Sequence, residues 1–347
     1  MNIHPEKTQR MPRRRILQKD IANAAGVSIS TVSRVLNNVD VISDDLRERV
    51  LKAATALGYQ SKTDQLRQIN LFISLITSSN LSSDQFHSAI MVGVEEECRR
   101  HDIRLSHIVV KPDDINRAQI LERVWSNPDD GHIFMSVDDN DLLKSILEYN
   151  FRVISINAEH KNLGIDTILP DNEYGAHLAV QYLIDHGHRQ ILHTTRLVRS
   201  TIKRRHEAYK ATLHDAGIPY NPALILDTSM VMQDAYQRMK RFLYAPHPEF
   251  TAIFCANDSS AIGIARALQE ANVRIPQDVS IVGFDDIPMA EFTVPALTTI
   301  RVEREEMGRL AVRRLLERST NPHLLPIKVE IITRLIERQS VAYLHNS

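Results

Sequence analysis

A chain of 347 residues exceeds one ordinary domain, so two or three are expected. A hydrophobic fraction of 43% and a charged fraction of 24% belong to a globular chain with a real core, and no apolar run reaches the roughly eighteen residues of a membrane helix. Residues 1–15 are polar and basic rather than a secretory signal, and two distant cysteines, Cys98 and Cys255, make neither a disulfide framework nor a zinc knuckle, so a reducing cytoplasm is the expected location.

The net charge of −1 conceals an asymmetry. Residues 1–62 carry eleven Lys/Arg against six Asp/Glu, so the head is basic and the remainder acidic. A polyanion-binding head on a non-binding body has this distribution, and so does a solvated basic tail. Residues 19–26 read as a short helix with Ile21, Ala22 and Ala25 on one face, ended by Gly26 in a left-handed conformation. Ser28 caps a second helix, Ile29 to Leu36, with Val27 placed to staple against Val32. Its inner face is Val32, Val35 and Leu36, and its outer face is Ile29, Ser30, Ser33, Arg34 and Asn37. A third helix runs from Ser43 through Leu46, Val50, Ala53 and Leu57 to Gly58, with Asp44 and Asp45 favourably in its first turn. Three short helices with a glycine turn between the first two make a helix-turn-helix, whose second helix fits a major groove. An ordinary three-helix bundle with a solvated face reads the same way. In the DNA reading, Arg34 forks onto guanine, and Ser28, Thr31 and Ser33 donate to phosphates.

The string Ala25-Gly26-Val27-Ser28-Ile29-Ser30-Thr31-Val32-Ser33-Arg34-Val35-Leu36-Asn37, with Val41-Ile42-Ser43 and Leu57-Gly58-Tyr59 in register, closely resembles the headpiece of LacI-type (lactose repressor) transcription regulators. That resemblance implies base-reading positions at Ile29, Ser30 and Arg34, and phosphate-contacting positions at Ser28, Thr31, Ser33 and Asn37. Two departures stand out. Leu17 replaces the family's usual threonine or serine, which removes a helix cap. Beyond Tyr59 the family's proline-asparagine and hinge helix are replaced by a shorter stretch, Gln60 to Gln68, in which Leu66 is either a minor-groove wedge or a linker residue. The expected organisation is therefore a headpiece over 1–62, a short hinge over 63–68 and a core over 69–347.

From Ile69 onward strands and helices alternate. Ile69–Ile76, Leu105–Val110, His132–Ser136 and Val153–Ile156 read as strands, with helices such as Phe86 to Arg100 and Asn140 to Tyr149 between them. A second series has strands Gln190–His193, Leu224–Leu226, Ala252–Cys255 and Val279–Val282, and helices Tyr174–His186, Ala208–Ala216, Asp234–Leu243 and Ser259–Ala271. Two such series imply two doubly wound parallel-sheet lobes with a ligand cleft between them. An amphipathic helix, Glu303 to Glu317, then returns the chain to the first lobe. The first lobe is expected over about 69–168 and 301–330, and the second over about 169–300 and 331–347. Asn257-Asp258 and Asp285-Asp286 follow strands, Asp171-Asn172 precedes a helix, and Arg205 is expected to open one. Each reads alone as a turn or cap residue.

The strings Asp171-Asn172-Glu173-Tyr174-Gly175, Ala256-Asn257-Asp258 and Val282-Gly283-Phe284-Asp285-Asp286 resemble the sugar-binding core of the same family and of periplasmic sugar-binding proteins. The resemblance spans the chain from about Arg15 and implies a small-molecule effector, typically a sugar, held by Arg205, Asn257, Asp285 and Asn157. A fork donor, an amide and a carboxylate suit vicinal hydroxyls. The opposite wall falls on Ser82 to Phe86, with Phe86 either an apolar platform or core. His186-Gly187-His188 reads as a helix end rather than a metal site, and no phosphate loop or nucleophile elbow is present, so neither metal, cofactor nor enzyme activity is expected. One headpiece reads only a few base pairs, so a homodimer on a pseudo-palindromic operator is expected, with the effector changing DNA affinity. The competing readings are a purine-responsive regulator of the same build, a sugar-transport protein, and a sugar-processing enzyme that would use Asp285-Asp286 as its acid–base pair.

Overall fold

The computed structural model describes residues 17–36, 42–57, 66–74, 84–110, 114–149, 151–321 and 323–344. By internal contacts the chain divides into two compact units, Met1–Gln65 and Leu66–Ser347.

The first unit contains helices α1 (Gln18–Ala25), α2 (Ile29–Leu36) and α3 (Asp44–Leu57). Ile21, Ala22, Ala25, Val32, Val35, Val50 and Ala54 bury one face of each helix against the others, with Val27, Ile42 and Ala53 at the margin. Gly26 ends α1 at φ 65°, a conformation that favours glycine, and the Arg49 guanidinium donates to the freed Ala25 carbonyl at 2.9 Å. Half of the capping interaction at α1 survives the leucine at position 17. The Asp20 carboxylate accepts from the Leu17 amide at 2.8 Å, while the leucine side chain has no oxygen to return the bond.

The second unit contains two six-stranded sheets. Among the described residues, its first half runs β1 (Gln68–Ser74), α4 (Gln85–Arg100), β2 (Arg104–Val110), α5 (Asp114–Trp125), β3 (Gly131–Met135), α6 (Asn140–Leu147), β4 (Arg152–Ile156) and β5 (Asp166–Pro170). Its second half runs α7 (Asn172–Asp185), β6 (Ile191–Thr195), α8 (Ser200–Asp215), β7 (Ile225–Asp227), α9 (Met232–Tyr244), β8 (Ala252–Cys255), α10 (Asp258–Glu270), β9 (Ser280–Asp285) and β10 (Thr298–Arg301). Then α11 (Arg304–Thr320) and β11 (Lys328–Ile331) return to the first lobe, and β12 (Arg334–Ile336) closes the second. The sheet orders are β2-β1-β3-β4-β5-β11 and β7-β6-β8-β9-β10-β12, one topology used twice, parallel throughout except where β12 meets β10. Central strands such as β3 and β8 are buried along their whole length, as helices on both faces require.

Three differences from the sequence reading have physical causes. Leu66 is not a wedge available to a minor groove: it is 2% exposed, in one cluster with Ile69 and Leu315, because an apolar side chain beside β1 is more stable in the sheet's core than in water. Of the expected hinge, residues 63–65 lie outside the described residues. Helix α8 begins at Ser200, two turns before Ala208, so Arg205 sits within it rather than opening it. Helix α5 and strands β5, β10, β11 and β12 are additional to the expected elements, and each of these strands is only three to five residues long.

Helices α4 and α11 join the chain's return to the first lobe, and they touch backbone to backbone. A methyl group at Gly93 would overlap the Glu305 carbonyl, and one at Gly308 would overlap that of Ile90. Gly93→Ala is therefore expected to destabilise the core by about 1–3 kcal/mol through overpacking. Urea unfolding checks this, and an unchanged midpoint would contradict the close approach.

Candidate functional site

Two regions bear the residues singled out in the sequence. On α2, Ile29, Ser30 and Arg34 are exposed and form one outward face, with Ile29 53% exposed although it is a large apolar residue. The Ser28 hydroxyl caps the helix, accepting from the Thr31 amide at 3.1 Å, and it lies 2.8 Å from both the Ser30 and Thr31 hydroxyls. Thr31 and Ser33 are half-buried flanks of that face. Asn37 lies outside the described residues.

The second region is a cavity of about 250 Å³ between the lobes, bordered by the carboxyl ends of β4 and β9 and the start of α4. All five expected effector residues, Phe86, Asn157, Arg205, Asn257 and Asp285, line it. Three of its lining residues, Asn157, Met230 and Asp285, have positive φ without being glycine, and so do Ser136 and Asp286 just outside the lining. Such conformations cost free energy and persist where surrounding contacts over-determine them.

Arg205 reaches the cavity from the middle of α8 and is 3% exposed. Its Nε donates to Asn172 Oδ1 at 2.9 Å, and one terminal nitrogen donates to the Ala256 carbonyl at 2.5 Å and faces Asp285 Oδ1 at 3.4 Å. The guanidinium plane rests on the Phe284 ring, 3.6 Å from its centroid. Burial dominates the electrostatics of the pair. It pushes the Asp285 carboxyl up to about 6 despite the neighbouring arginine, and lowers Arg205 to about 10 despite the carboxylate. Near neutrality both remain charged, each short of the solvation it would have in water. That is the state in which ligand hydroxyls gain most from joining them.

Asn257 has a structural duty as well. Its Oδ1 accepts from the Ser260 amide at 3.0 Å, capping α10, and its Nδ2 donates to the Met230 carbonyl at 2.9 Å. Asn157 places Nδ2 2.9 Å from the Ser136 hydroxyl, and its buried Oδ1 has no protein partner. Phe86 is half-buried, edge-on to His87 at 5.3 Å between centroids.

Sequence reasoning missed several residues here. Asp84 caps α4 through the His87 amide and lies 2.6 Å from His87 Nδ1, while His87 Nε2 lies 2.7 Å from Ser136. An Asp-x-x-His at a helix start was the available signal. Arg199 donates to the Asn157 carbonyl at 2.7 Å and pairs with Asp138 at 3.1 Å. Asp138 also accepts from the Ser200 hydroxyl at 2.7 Å and faces the Ser200 amide at 3.3 Å, so the first lobe caps α8 of the second. No sequence pattern announces a cap supplied from sixty residues away. Asp286 does not face the cavity with Asp285. Its carboxylate turns to Arg301 and Arg338, which leaves the adjacent acids without the shared site an acid–base pair needs. No cluster of metal-ligating side chains occurs among the described residues, and no described helix is long and apolar enough to cross a membrane.

The family model for bacterial regulatory proteins of the lacI family matches residues 18–62, and that for a periplasmic binding protein-like domain matches residues 180–341. The ribose operon repressor of Haemophilus influenzae is 33% identical over 88% of this chain and 92% of its own length. The transcriptional repressor PurR of the same organism is 32% identical over 93% of this chain and 98% of its own. Among solved structures, the transcriptional regulator CelR in complex with cellobiose superposes with a TM-score of 0.73 at 26% identity, covering 94% of this chain and all of that one. A LacI family regulator from Enterococcus faecium with bound ribose gives 0.69 at 26% identity over 80% of this chain and all of its own. With one-third identity to curated repressors along nearly its whole length, the chain belongs to the LacI family of bacterial regulatory proteins.

Proposed function

We propose that this DNA-binding regulator is a cytoplasmic repressor that binds a pseudo-palindromic operator as a homodimer and is released by a small sugar held between its core lobes. The observation that carries the effector class is the buried Arg205–Asp285 pair on the cavity wall, with Asn157, Asn257 and Arg199 beside it. Vicinal hydroxyls donate to a carboxylate and accept from a guanidinium at once, so a polyol satisfies both charges with one short edge. Phe86 is the one phenyl ring among the residues lining the cavity, which also include Ile202, Met230, Val231 and Met232. A single ring suits the apolar face of a sugar, whereas a purine gains most from stacking on both of its faces. The ribose-bound family structure supports the same class.

On the DNA side, Ile29, Ser30 and Arg34 are assigned to base edges, and Ser28, Thr31, Ser33 and Asn37 to phosphates. The exposed isoleucine carries this assignment, because an apolar residue in the open is most useful against a thymine methyl. Calorimetry with D-ribose, hexoses and nucleobases, alongside mobility shifts on operators selected from random duplexes, tests the whole reading. Saturable binding of a nucleobase instead of any sugar would reverse the effector class.

Arg34→Ala is expected to weaken selected-operator binding by about 1–3 kcal/mol while leaving random-duplex binding little changed, measured by competition titration. Unaltered discrimination would remove Arg34 from the base-reading set. Sugar affinity is expected to be level above neutrality and to fall about tenfold per pH unit below about 6, as Asp285 gains a proton and loses its capacity to accept two hydroxyl bonds. Asp285→Asn should flatten that profile at lower affinity. Folding stability responds to Asp285 in the opposite sense. Its folded-state proton is held more tightly than the unfolded one, so its contribution is present at low pH and lost as pH rises through about 6.

A further inference from the structure

Asp286 follows the effector carboxylate directly, is 7% exposed, and is not among the residues lining the cavity. Two guanidiniums hold its carboxylate: Arg301, the last residue of β10, on one oxygen, and Arg338, beyond β12, on the other at 2.8 Å. Arg304, the first residue of α11, donates to the Asp286 carbonyl at 2.8 Å and reaches the Gln85 carbonyl of the first lobe at 3.5 Å. The turn carrying Asp286 continues to Met289, whose amide donates to the Gln85 side chain at 3.3 Å.

These partners are not arbitrary. The chain passes between the lobes at Asp171, at Val302–Glu303 and at Ile332–Thr333. Arg301 and Arg304 bracket the second passage, and Arg338 lies shortly after the third. The passages are tied to each other, since Thr333 donates to the Asp171 carbonyl at 3.2 Å and Arg334 to the Glu303 carboxylate at 3.1 Å. The turn itself is over-determined, with φ 114° at Asp285 and 51° at Asp286, and with the buried Asp258 carboxylate accepting from the Ile287 amide at 2.9 Å. Asp285, Asp286 and Ile287 are thus each fixed by side-chain or backbone contacts within three consecutive residues.

We propose that Asp286 is the positioning residue that transmits occupancy of the cavity to the lobe passages, through Arg301, Arg304 and Arg338. It does not hold the effector. A ligand that draws Asp285 away from Arg205 displaces the Asp286 carboxylate and carbonyl, and with them the start of α11 and the contact to Gln85. Effector affinity and effector response are thus separable at adjacent residues.

The inference rests on a sugar occupying the cavity, so its test has one arm with D-ribose and one without ligand. In full-length Asp286→Asn, D-ribose affinity by calorimetry is expected within about threefold of wild type. The ribose-dependent change in affinity for the selected operator should collapse from an ordinary allosteric factor of roughly 5–150-fold to about twofold or less. Asp286→Glu should restore part of the response. Because Asp286→Asn leaves two arginines without their carboxylate, Arg304→Gln serves as a second variant, with the same loss of response expected. In the ligand-free arm, hydrogen exchange at 301–304 and 85–88 should quicken together in both variants. A full response in either folded variant overturns the proposal, and so does a loss of ribose binding that accounts for the loss of response. If the wild-type protein binds no sugar, the effector assignment fails, and the proposal is then decided by the exchange arm: unchanged exchange in these two segments rejects it.

Discussion

Charge taken out of water at the carboxyl ends of the second sheet is the constraint around which the core is organised. Arg205 and Asp285 sit 3.4 Å apart, too far for a strong ion pair, and both are almost wholly buried. Their mutual attraction does not offset desolvation, as the raised acid and lowered base both indicate. The arrangement stands because neighbours take up the deficit. Asn172 and the Ala256 carbonyl accept from the guanidinium, Phe284 supports its face, and Asp258 fixes the turn that aims the carboxylate. A buried pair held this way is weak evidence for stability, because its own attraction does not offset its desolvation. It is a standing demand for a polar ligand.

The same demand explains which parts of the molecule were legible in the sequence. Alternating strands and helices are set by local hydrophobic pattern, and a continuous apolar run such as Ala252–Cys255 announces a strand buried on both faces. The headpiece was equally plain, because Gly26, the Ser28 cap and the apolar stripe of α2 are all local signals. The assignment of Arg205, Asn257 and Asp285 to an effector comes from resemblance, and all three line one cavity. Read alone, each would have passed for a cap or turn residue, and Asn257 is in fact a cap as well. What could not be read was whatever depends on a partner distant in sequence. Helix α8 starts with Ser200-Thr201-Ile202-Lys203-Arg204-Arg205, which has little apolar periodicity and no local cap, so its first two turns were invisible. Leu66 was ambiguous because its fate turned on Gly131 and Leu315, which pack against it from far along the chain.

Helix α8 also shows why the two lobes cannot be considered separately. Its N-terminal turn belongs to the second lobe, yet Asp138 of the first supplies its cap, Asn157 of the first accepts from Arg199, and the Ser200 hydroxyl accepts from the Glu159 amide at 2.9 Å. One turn further, Arg204 ties to Glu330 and lies 3.8 Å from Glu159, both of the first lobe. A helix N-terminus carries unsatisfied amides and partial positive charge, so separating the lobes would strip this one of its carboxylate. Closure is thus favoured by the Ser200 amide and hydroxyl and the Arg199 guanidinium, all of which bond to the first lobe.

Two opposing demands therefore meet in the space between the lobes. The trans-cap on α8 favours approach of the lobes, whereas the under-solvated Arg205–Asp285 pair favours water or a ligand between them. Under the proposed function, a polyhydroxylated molecule would resolve the conflict, because it would bring hydroxyls to the buried charges while leaving Asp138 on the helix end. Neither contact alone would make a switch. A tight cap over an apolar wall would keep the core shut, and a polar wall without the cap would leave the lobes apart. A ligand decides between two arrangements only through its differential affinity for them, and opposed contacts of this kind are where such a difference would act.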